Sequence, residues 1–597
     1  MENKKNIAVF FSYPSNGAID SRKIKELEKY VSDFGVVKIV WNSNSYNINV
    51  DKDKIDQIIT NDIGRVLIIG EKPGFLKSHF SKLLIEAGKD PTQLNLIDFQ
   101  DYFDNQQAFD LYSKVLINSV IENNGFYCRN TNESKQDSLA ETLVVGAGIA
   151  GIQASLEIAN SKHKVFLIEK SGTIGGHMAK FDKTFPTLDC AACILTPKMV
   201  EVGQHSFIEL LTNSEIVSIE GRPGKFKVKI LKKARRVSLS TCIGCGICSE
   251  KCPSKAVSEF DEGTSMRKAI YIPFPQAVPN KYLIDPENCT YVQSGKCGVC
   301  AKVCPANAIN LDEKDEFVEI MVGNIIIATG FKPFDAKKVE RFGYGKYPNV
   351  ITSLELERLI NASGPTGGDI TYRSRGKKGN WIFEKGRGIP QKFALIHCVG
   401  SRDLQHRSYC SRVCCMYSLK LAHLIKEKIP EADVYEYFID MRAYGKGYEE
   451  FYERIKAEGV HLIRGKTATI KQKNDKLILR SEDILNDRLI ESEVDMVVLS
   501  VGLEPTDDAA KLASHAGIQI SKDGWFKELK SDSDSECTNV SGILIAGACQ
   551  WPKDIPDSVA QGSAAASIVL QNLIKGKNEQ DHQAISIEQM SEVIKND

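Results

Sequence analysis

The stretch Leu143-Val144-Val145-Gly146-Ala147-Gly148-Ile149-Ala150-Gly151 decides the fold. Three apolar, strand-forming residues run into Gly-x-Gly-x-x-Gly, and a helix is expected from Ile152 to Ala159. In such a strand–turn–helix unit the glycines permit a tight turn. They also bring the backbone close to a pyrophosphate, which rests on the helix N-terminus. Val165–Ile168 reads as the next strand and ends at Glu169, whose carboxylate can accept hydrogen bonds from ribose hydroxyls. Gly146, Gly148, Ile149, Ala150, Gly151, Glu169 and the adjacent Lys170 are therefore candidate dinucleotide contacts.

Three features outside this stretch narrow the dinucleotide to FAD. Gly175-Gly176 follows Glu169, with His177 expected to pack against the cofactor rather than donate a proton. Ile325–Ile327 leads into Ala328-Thr329-Gly330, a turn found where a chain leaves an FAD domain. Ile543-Leu544-Ile545-Ala546-Gly547 resembles the strand that ends beneath a flavin ribityl chain. The set resembles the thioredoxin-reductase-like flavoprotein fold, an α/β architecture with two dinucleotide-binding domains.

Cysteine carries most of the remaining information: the chain has 17. Cys242-x2-Cys245-x2-Cys248-x3-Cys252-Pro253 is a bacterial ferredoxin ligand run, in which the fourth cysteine serves the other cluster. The second run is Cys289-x7-Cys297-x2-Cys300-x3-Cys304-Pro305, with a longer first gap. One [4Fe–4S] cluster is assigned to Cys242, Cys245, Cys248 and Cys304, and the other to Cys289, Cys297, Cys300 and Cys252. A zinc site is the alternative, and two Cys-Pro endings argue against it. A third group, Cys398, Cys410, Cys414 and Cys415, follows the strand Phe393–His397, where a second Gly-rich turn would bind nicotinamide. On spacing alone these four are either cluster ligands or buried thiols. Cys190 and Cys193 form a CxxC that reads as a redox dithiol, a cluster-supporting pair or a structural pair.

Outward from these motifs, 597 residues are too many for one core. Seven segments are expected. They begin with an N-terminal α/β domain (1–128), the opening segment of the FAD domain (138–236), an inserted two-cluster ferredoxin domain (237–315), and the FAD domain continued (316–390). A degenerate nucleotide-binding domain (391–505), the closing segment of the FAD domain (506–575) and a tail (576–597) follow. In the N-terminal domain Ile7–Phe11, Val36–Trp41, Arg65–Gly70 and Gln93–Phe99 read as strands, and Ser21–Phe34 and Ser78–Gly88 as helices. Arg129–Asp137 reads as a linker and Ile585–Ile594 as an amphipathic helix. Lys plus Arg and Asp plus Glu are both 77, so no net charge draws the chain to nucleic acid or anionic membrane. No apolar run of about 18 residues is present and the first apolar run is too short for a signal peptide, so a cytoplasmic protein without a membrane span is expected.

The chain is similar to the A subunit of heterodisulfide reductase from about Glu141 to Leu573. The resemblance rests on Lys183–Thr187 with Cys190 and Cys193, Tyr271–Pro279, His397–Met416 and Lys553–Ser558, the last containing the candidate cofactor contacts Asp554 and Ser558. It implies a component of an oxidoreductase that acts on sulfur groups, with an FAD able to split electron pairs. It implies a [4Fe–4S] cluster held by Cys398, Cys410, Cys414 and Cys415, making three in all. It also implies a lysine near flavin N5, matched by Lys420. The implied partners are other heterodisulfide-reductase-type subunits, a hydrogenase or other electron-input subunit, and ferredoxin, in a complex built on a homodimer. The alternative is a wiring subunit, without turnover of its own, in a quinone-linked or acyl-CoA or aromatic-ring-reducing complex. Family members often carry cysteines in the N-terminal domain; Phe10–Ser15 and Ile69–Pro73 have none here, so no cluster is expected there. Longer members end in a further ferredoxin module, which this sequence lacks.

Overall fold

The structure is a computed structural model that describes residues 6–12, 21–43, 52–70, 76–89, 94–98, 113–118, 120–121, 139–376, 379–529 and 535–575. The linker and tail helix expected from sequence lie outside these. The described residues form two compact units, divided near residue 134.

The N-terminal unit is a parallel sheet in the order Val37–Ser43, Asn6–Ser12, Ile63–Gly70, Leu94–Asp98. Helices Ser21–Ser32, Lys52–Thr60 and Lys77–Glu86 connect its strands; the middle one is not among the helices expected from sequence. Two apolar clusters form, one holding Val9 and Phe11 and the other Ala8 and Phe10, as alternation on a strand covered on both faces requires. Phe10 and Phe11 are thus core residues.

The larger unit is built on two five-stranded parallel sheets. The first runs Ile543–Ile545, Asn324–Ile327, Thr142–Val145, Val165–Glu169, Ile208–Thr212. Helix Ile149–Asn160 starts directly at the glycine turn, three residues earlier than the sequence pattern indicates, because Ile149–Gly151 already follow the helix. The three-stranded antiparallel sheet of Ser214–Arg222, Lys225–Lys232 and Glu316–Val322 packs beside it. Lys232 pairs with Glu316, so the ferredoxin module is inserted into a hairpin whose two strands remain neighbours. Buried Arg235 fastens it, donating to the carbonyls of Gly172 (3.1 Å), Lys281 (2.7 Å) and Tyr282 (3.0 Å).

The second sheet runs Val350–Thr352, Met496–Val501, Lys392–Val399, Asp433–Phe438, His461–Arg464. This corrects the boundary expected at 390. Val350–Thr352 pairs with Val497–Leu499, and helix Ser353–Ile360 packs in the same core, so residues 350–360 belong to the second domain. Among the described residues no helix is long and apolar enough to cross a membrane.

Candidate flavin and cluster site

A cavity of about 960 Å³ opens at the C-terminal ends of the first sheet's strands. That is where a doubly wound sheet binds its ligand. Gly146, Gly148, Ile149, Ala150, Glu169, Lys170, Gly176, His177, Gly330, Asp554 and Ser558 all line it. Gly151 and Gly547, also expected as contacts, do not. A Cβ on Gly151 would lie 1.9 Å from the Gly146 carbonyl oxygen, and one on Gly547 2.7 Å from the Ala150 Cβ. Gly151 lets the helix close on the Gly146 carbonyl and Gly547 lets the Ala150 side chain pack against it, so both hold the cavity wall rather than form it.

FAD fits this wall. No side chain caps helix Ile149–Asn160 at Gly148, so its first turn is free to meet a pyrophosphate. A Cβ on Gly148 would meet nothing within 4 Å, which leaves open space in front of the turn. Glu169 is already engaged with the turn, accepting from the amides of Ala147 (3.0 Å) and Ser171 (2.8 Å). The Oγ1 of Thr329 and the Nδ1 of His177 are buried on this wall without partners, as atoms awaiting a polar ligand would be. The other nitrogen of His177 contacts the Phe331 carbonyl (3.0 Å), and its ring stacks on Phe331 at 4.4 Å. Burial lowers the His177 pKa to about 4, and the nearby Lys180 adds to this, so the ring is neutral.

At the far end of the cavity stands helix Cys414–Lys428. Val413, Tyr417 and Lys420 line the cavity from one face at helical spacing. Lys420 is 2% exposed, so it is a buried lysine and not a solvated surface one. Its ammonium is paired with Glu357, donates to the Lys183 carbonyl (3.0 Å) and lies 5.2 Å from the centre of the Phe181 ring. Tyr417, one turn before Lys420, was within reach of helical spacing. Glu357 was not, since it lies 63 residues from Lys420.

The same helix begins with Cys414 and Cys415. Their thiols interact with each other, Cys414 with Cys398, and Cys415 with His397. Cys410 is close enough to feel the charges of Cys398 and Cys415. The four expected cysteines are therefore brought together, by the end of strand Lys392–Val399, the loop after it and the helix N-terminus. Cys398, Arg402 and Arg412 all have left-handed backbone, with φ of 56°, 54° and 60°. A non-glycine residue holds that conformation only where its surroundings fix it. Ser411 supplies part of the fixing: its hydroxyl accepts from the Leu503 amide (2.9 Å) and contacts Ser401 Oγ (3.1 Å). Beside the cysteines, Nε2 of His397 lies 2.9 Å from the buried Glu436 carboxylate. Burial opposes charge on His397, but hydrogen bonding to Cys415 and Glu436 pushes its pKa up to about 10. The cysteines carry the complementary effect. Cys414 and His397 lower the Cys415 thiol to about 4 against the cost of burial.

In the inserted module Cys248 neighbours Cys242 and Cys245, and Cys300 neighbours Cys289, Cys252 and Cys297. Cys252 of the first run thus lies near Cys300 of the second, and Cys248 is also near Cys300. Cys304 packs against the same core and accepts from the Ala308 amide at 3.3 Å. Among the described residues no three His, Cys, Asp or Glu side chains are arranged to hold a single metal ion. A cubane asks instead for one thiolate at each of four irons. Phe260, Arg267, Tyr271 and Phe274 of the module line the flavin cavity, so the insert closes one side of it.

Known proteins share these features. Family models match a 4Fe-4S dicluster domain at residues 241–308, an NAD(P)-binding Rossmann-like domain at 144–202, and a pyridine nucleotide-disulphide oxidoreductase at 436–566. The chain is 40% identical to the iron–sulfur A subunit of the CoB–CoM heterodisulfide reductase of Methanocaldococcus jannaschii, covering 96% of this chain and 86% of that protein. It is 43% identical to the second of two such A subunits in Methanopyrus kandleri, covering 94% and 84%. Among solved structures, T. acidophilum thioredoxin reductase aligns over 73% of this chain and 99% of its own, at 14% identity and a TM-score of 0.40.

Proposed function

The chain belongs to the family of CoB–CoM heterodisulfide reductase A subunits, and from that premise we propose that it passes electrons between FAD and three [4Fe–4S] clusters within a heterodisulfide-reductase-type complex. It is an FAD and iron–sulfur oxidoreductase. Within the complex, its partners supply electrons through a hydrogenase or similar input subunit, pass them to ferredoxin, and reduce the disulfide of the CoB–CoM type. The assembly works in the cytoplasm as a homodimer of the larger complex.

One observation carries this reading: helix Cys414–Lys428 presents two cysteines of the third set at its start and Lys420 to the cavity one and a half turns later. FAD is the group that converts between two-electron and one-electron transfer. The chain's own residues do the rest. The glycine turn and the two helix N-termini at Gly148 and Asp554 hold the pyrophosphate and ribityl end. Neutral His177 and Phe331 pack on the cofactor. Lys420, held by Glu357 and Lys183, fixes a cation at the reacting edge. The hydrogen-bonded pair of His397 and Glu436 supports the Cys398 set. Cys398, Cys410, Cys414 and Cys415, and the cysteines of the inserted module, would hold the clusters that supply one-electron acceptors beside such a flavin.

The experiment is a count of iron and flavin in anaerobically prepared protein. One FAD and about 12 irons are expected, four per cubane; about eight would remove the cluster at Cys398, Cys410, Cys414 and Cys415. A second reading, a wiring subunit of a quinone-linked or acyl-CoA-reducing complex, is favoured by the strands Asn6–Ser12 and Ile63–Gly70, which carry no cysteine to hold a further cluster. Anaerobic co-purification of native partners separates the two.

A further inference from the structure

Cys190 and Cys193 lie outside every cluster set, and in the structure they are joined as a disulfide. The other fourteen cysteines among the described residues are free thiols. Both members of the pair are exposed, at the start of helix Ala191–Gln204. Cys190 is the N-cap, and its sulfur accepts from the Cys193 amide at 3.2 Å. That contact and the helix N-terminus both favour negative charge on Cys190 when the bond opens. Next to Cys193, Ile194 is 39% exposed and offers an apolar contact to a docking partner.

The bond does little as a staple. It closes a loop of only a few residues, where the loss of chain entropy is smallest. The segment is already held by its backbone. The Thr184 amide donates to the Asp189 carbonyl (2.8 Å), Ala191 to Asp182 (3.0 Å) and Ile194 to Cys190 (3.3 Å), and Lys183 bridges to Cys190. The far end of this segment is a wall of the flavin cavity: Lys183, Thr184 and Phe185 line it. A sulfur–sulfur bond that is exposed, local and structurally dispensable, in a chain that must keep twelve cluster thiolates reduced, is of the exchangeable kind.

We propose that Cys190 and Cys193 form a redox-active pair that exchanges two electrons with a dithiol. A substrate thiolate attacks the Cys193 sulfur. The Cys190–Cys193 bond breaks and Cys190 leaves as the thiolate stabilised by the Cys193 amide. The second substrate thiol then attacks its own sulfur in the mixed disulfide and releases Cys193. The substrate dithiol becomes a disulfide, giving up two electrons and two protons; the protein pair gains the electrons and, at Cys193 and in solvent, the protons. The reverse sequence reduces a substrate disulfide. This goes beyond the flavin-to-cluster path and rests on that reading only for the twelve cluster thiolates.

The test uses anaerobic holoprotein equilibrated with mixtures of reduced and oxidised dithiothreitol, alkylated, and cut with trypsin. The peptide from Thr184 to Lys198 contains these two cysteines and no other. It should pass from no label to two labels in a single transition as the mixture becomes more reducing, with iron and FAD content constant. Two labels at every mixture, or none at any, would overturn the proposal. A Cys190→Ser, Cys193→Ser double variant should retain the FAD, the iron and the melting temperature of the parent. Loss of about four irons would make the pair cluster ligands, and a large fall in melting temperature would make it a staple; either result overturns the redox role.

Discussion

Replacing Lys420 with alanine tests the cavity at its most loaded point. The side chains of Lys420 and Glu357 are 3% and 4% exposed, and they form an ion pair. Alanine removes the cation and leaves Glu357 Oε1 buried without it, while Oε2 still accepts the Asp182 amide at 3.1 Å. Removing one partner of a buried pair costs about 3–5 kcal/mol, whereas replacing both with apolar groups costs little or nothing. For a unit of this size the single substitution lowers the melting temperature by roughly 3–5 °C. Anaerobic calorimetry at one scan rate should show that fall in Lys420→Ala. It should show most of it recovered in Lys420→Met combined with Glu357→Leu. The flavin supplies a second readout. The variant loses a positive charge and keeps a negative one beside the cofactor, so the two-electron potential of bound FAD should drop. A single variant as stable as the parent with full FAD, or a double variant no more stable than the single, would refute the reasoning that the pair is closed and buried. An unchanged flavin potential in fully loaded Lys420→Ala would refute its place at the reacting edge.

NADH and NADPH should fail to bleach the flavin of the isolated chain, since strand Lys392–Val399 carries Cys398 near its end and is not followed by a Gly-rich turn; rapid bleaching on mixing would overturn this. Gly148→Ala and Gly151→Ala should behave differently. The first adds a methyl to open cavity and should fold but lose FAD, while the second drives a Cβ into the Gly146 carbonyl and should lose both FAD and stability, as read by flavin content and unfolding midpoint. His177, whose pKa burial lowers from 6.5 to about 4, makes stability fall as pH drops through that window, because the unfolded chain binds a proton that the folded chain does not. Unfolding midpoints measured from about pH 7 to about pH 5 should slope less in His177→Phe, and equal slopes would remove the assignment.

The features of this fold legible in sequence are those whose chemistry is local. A strand, a glycine turn and a helix are consecutive, so Leu143–Gly151 announces itself; so do two ferredoxin runs in which the ligand spacings are set by the cubane. What the sequence did not reveal is long-range. The hairpin that carries the insert joins Lys232 to Glu316 across the whole module. Val350–Thr352 is too short to show any period, and only its pairing with Val497–Leu499 assigns it to the second sheet. Gly151 and Gly547 looked like ligand contacts because glycine permits close approach. The approach proved to be between segments of the chain itself.

The third cysteine set lay between these extremes, and the reason bears on function. Cys398, Cys410, Cys414 and Cys415 have no repeating spacing, because three different elements deliver them. The helix that carries the last two contradicts its own pattern. Leu419, Leu421, Ala422, Leu424 and Ile425 are core residues, and a lysine sits among them, just as buried. A consistent core helix would place an apolar side chain at 420 and no adjacent thiols at its start. Glu357 offsets the lysine and His397 the thiolates, each from a separate element, so two such offsets must form together for the helix to pack. Buried charge at two points on one helix marks a functional site, and Val413, Tyr417 and Lys420 put one face of this helix on the cavity wall directly after its two cysteines.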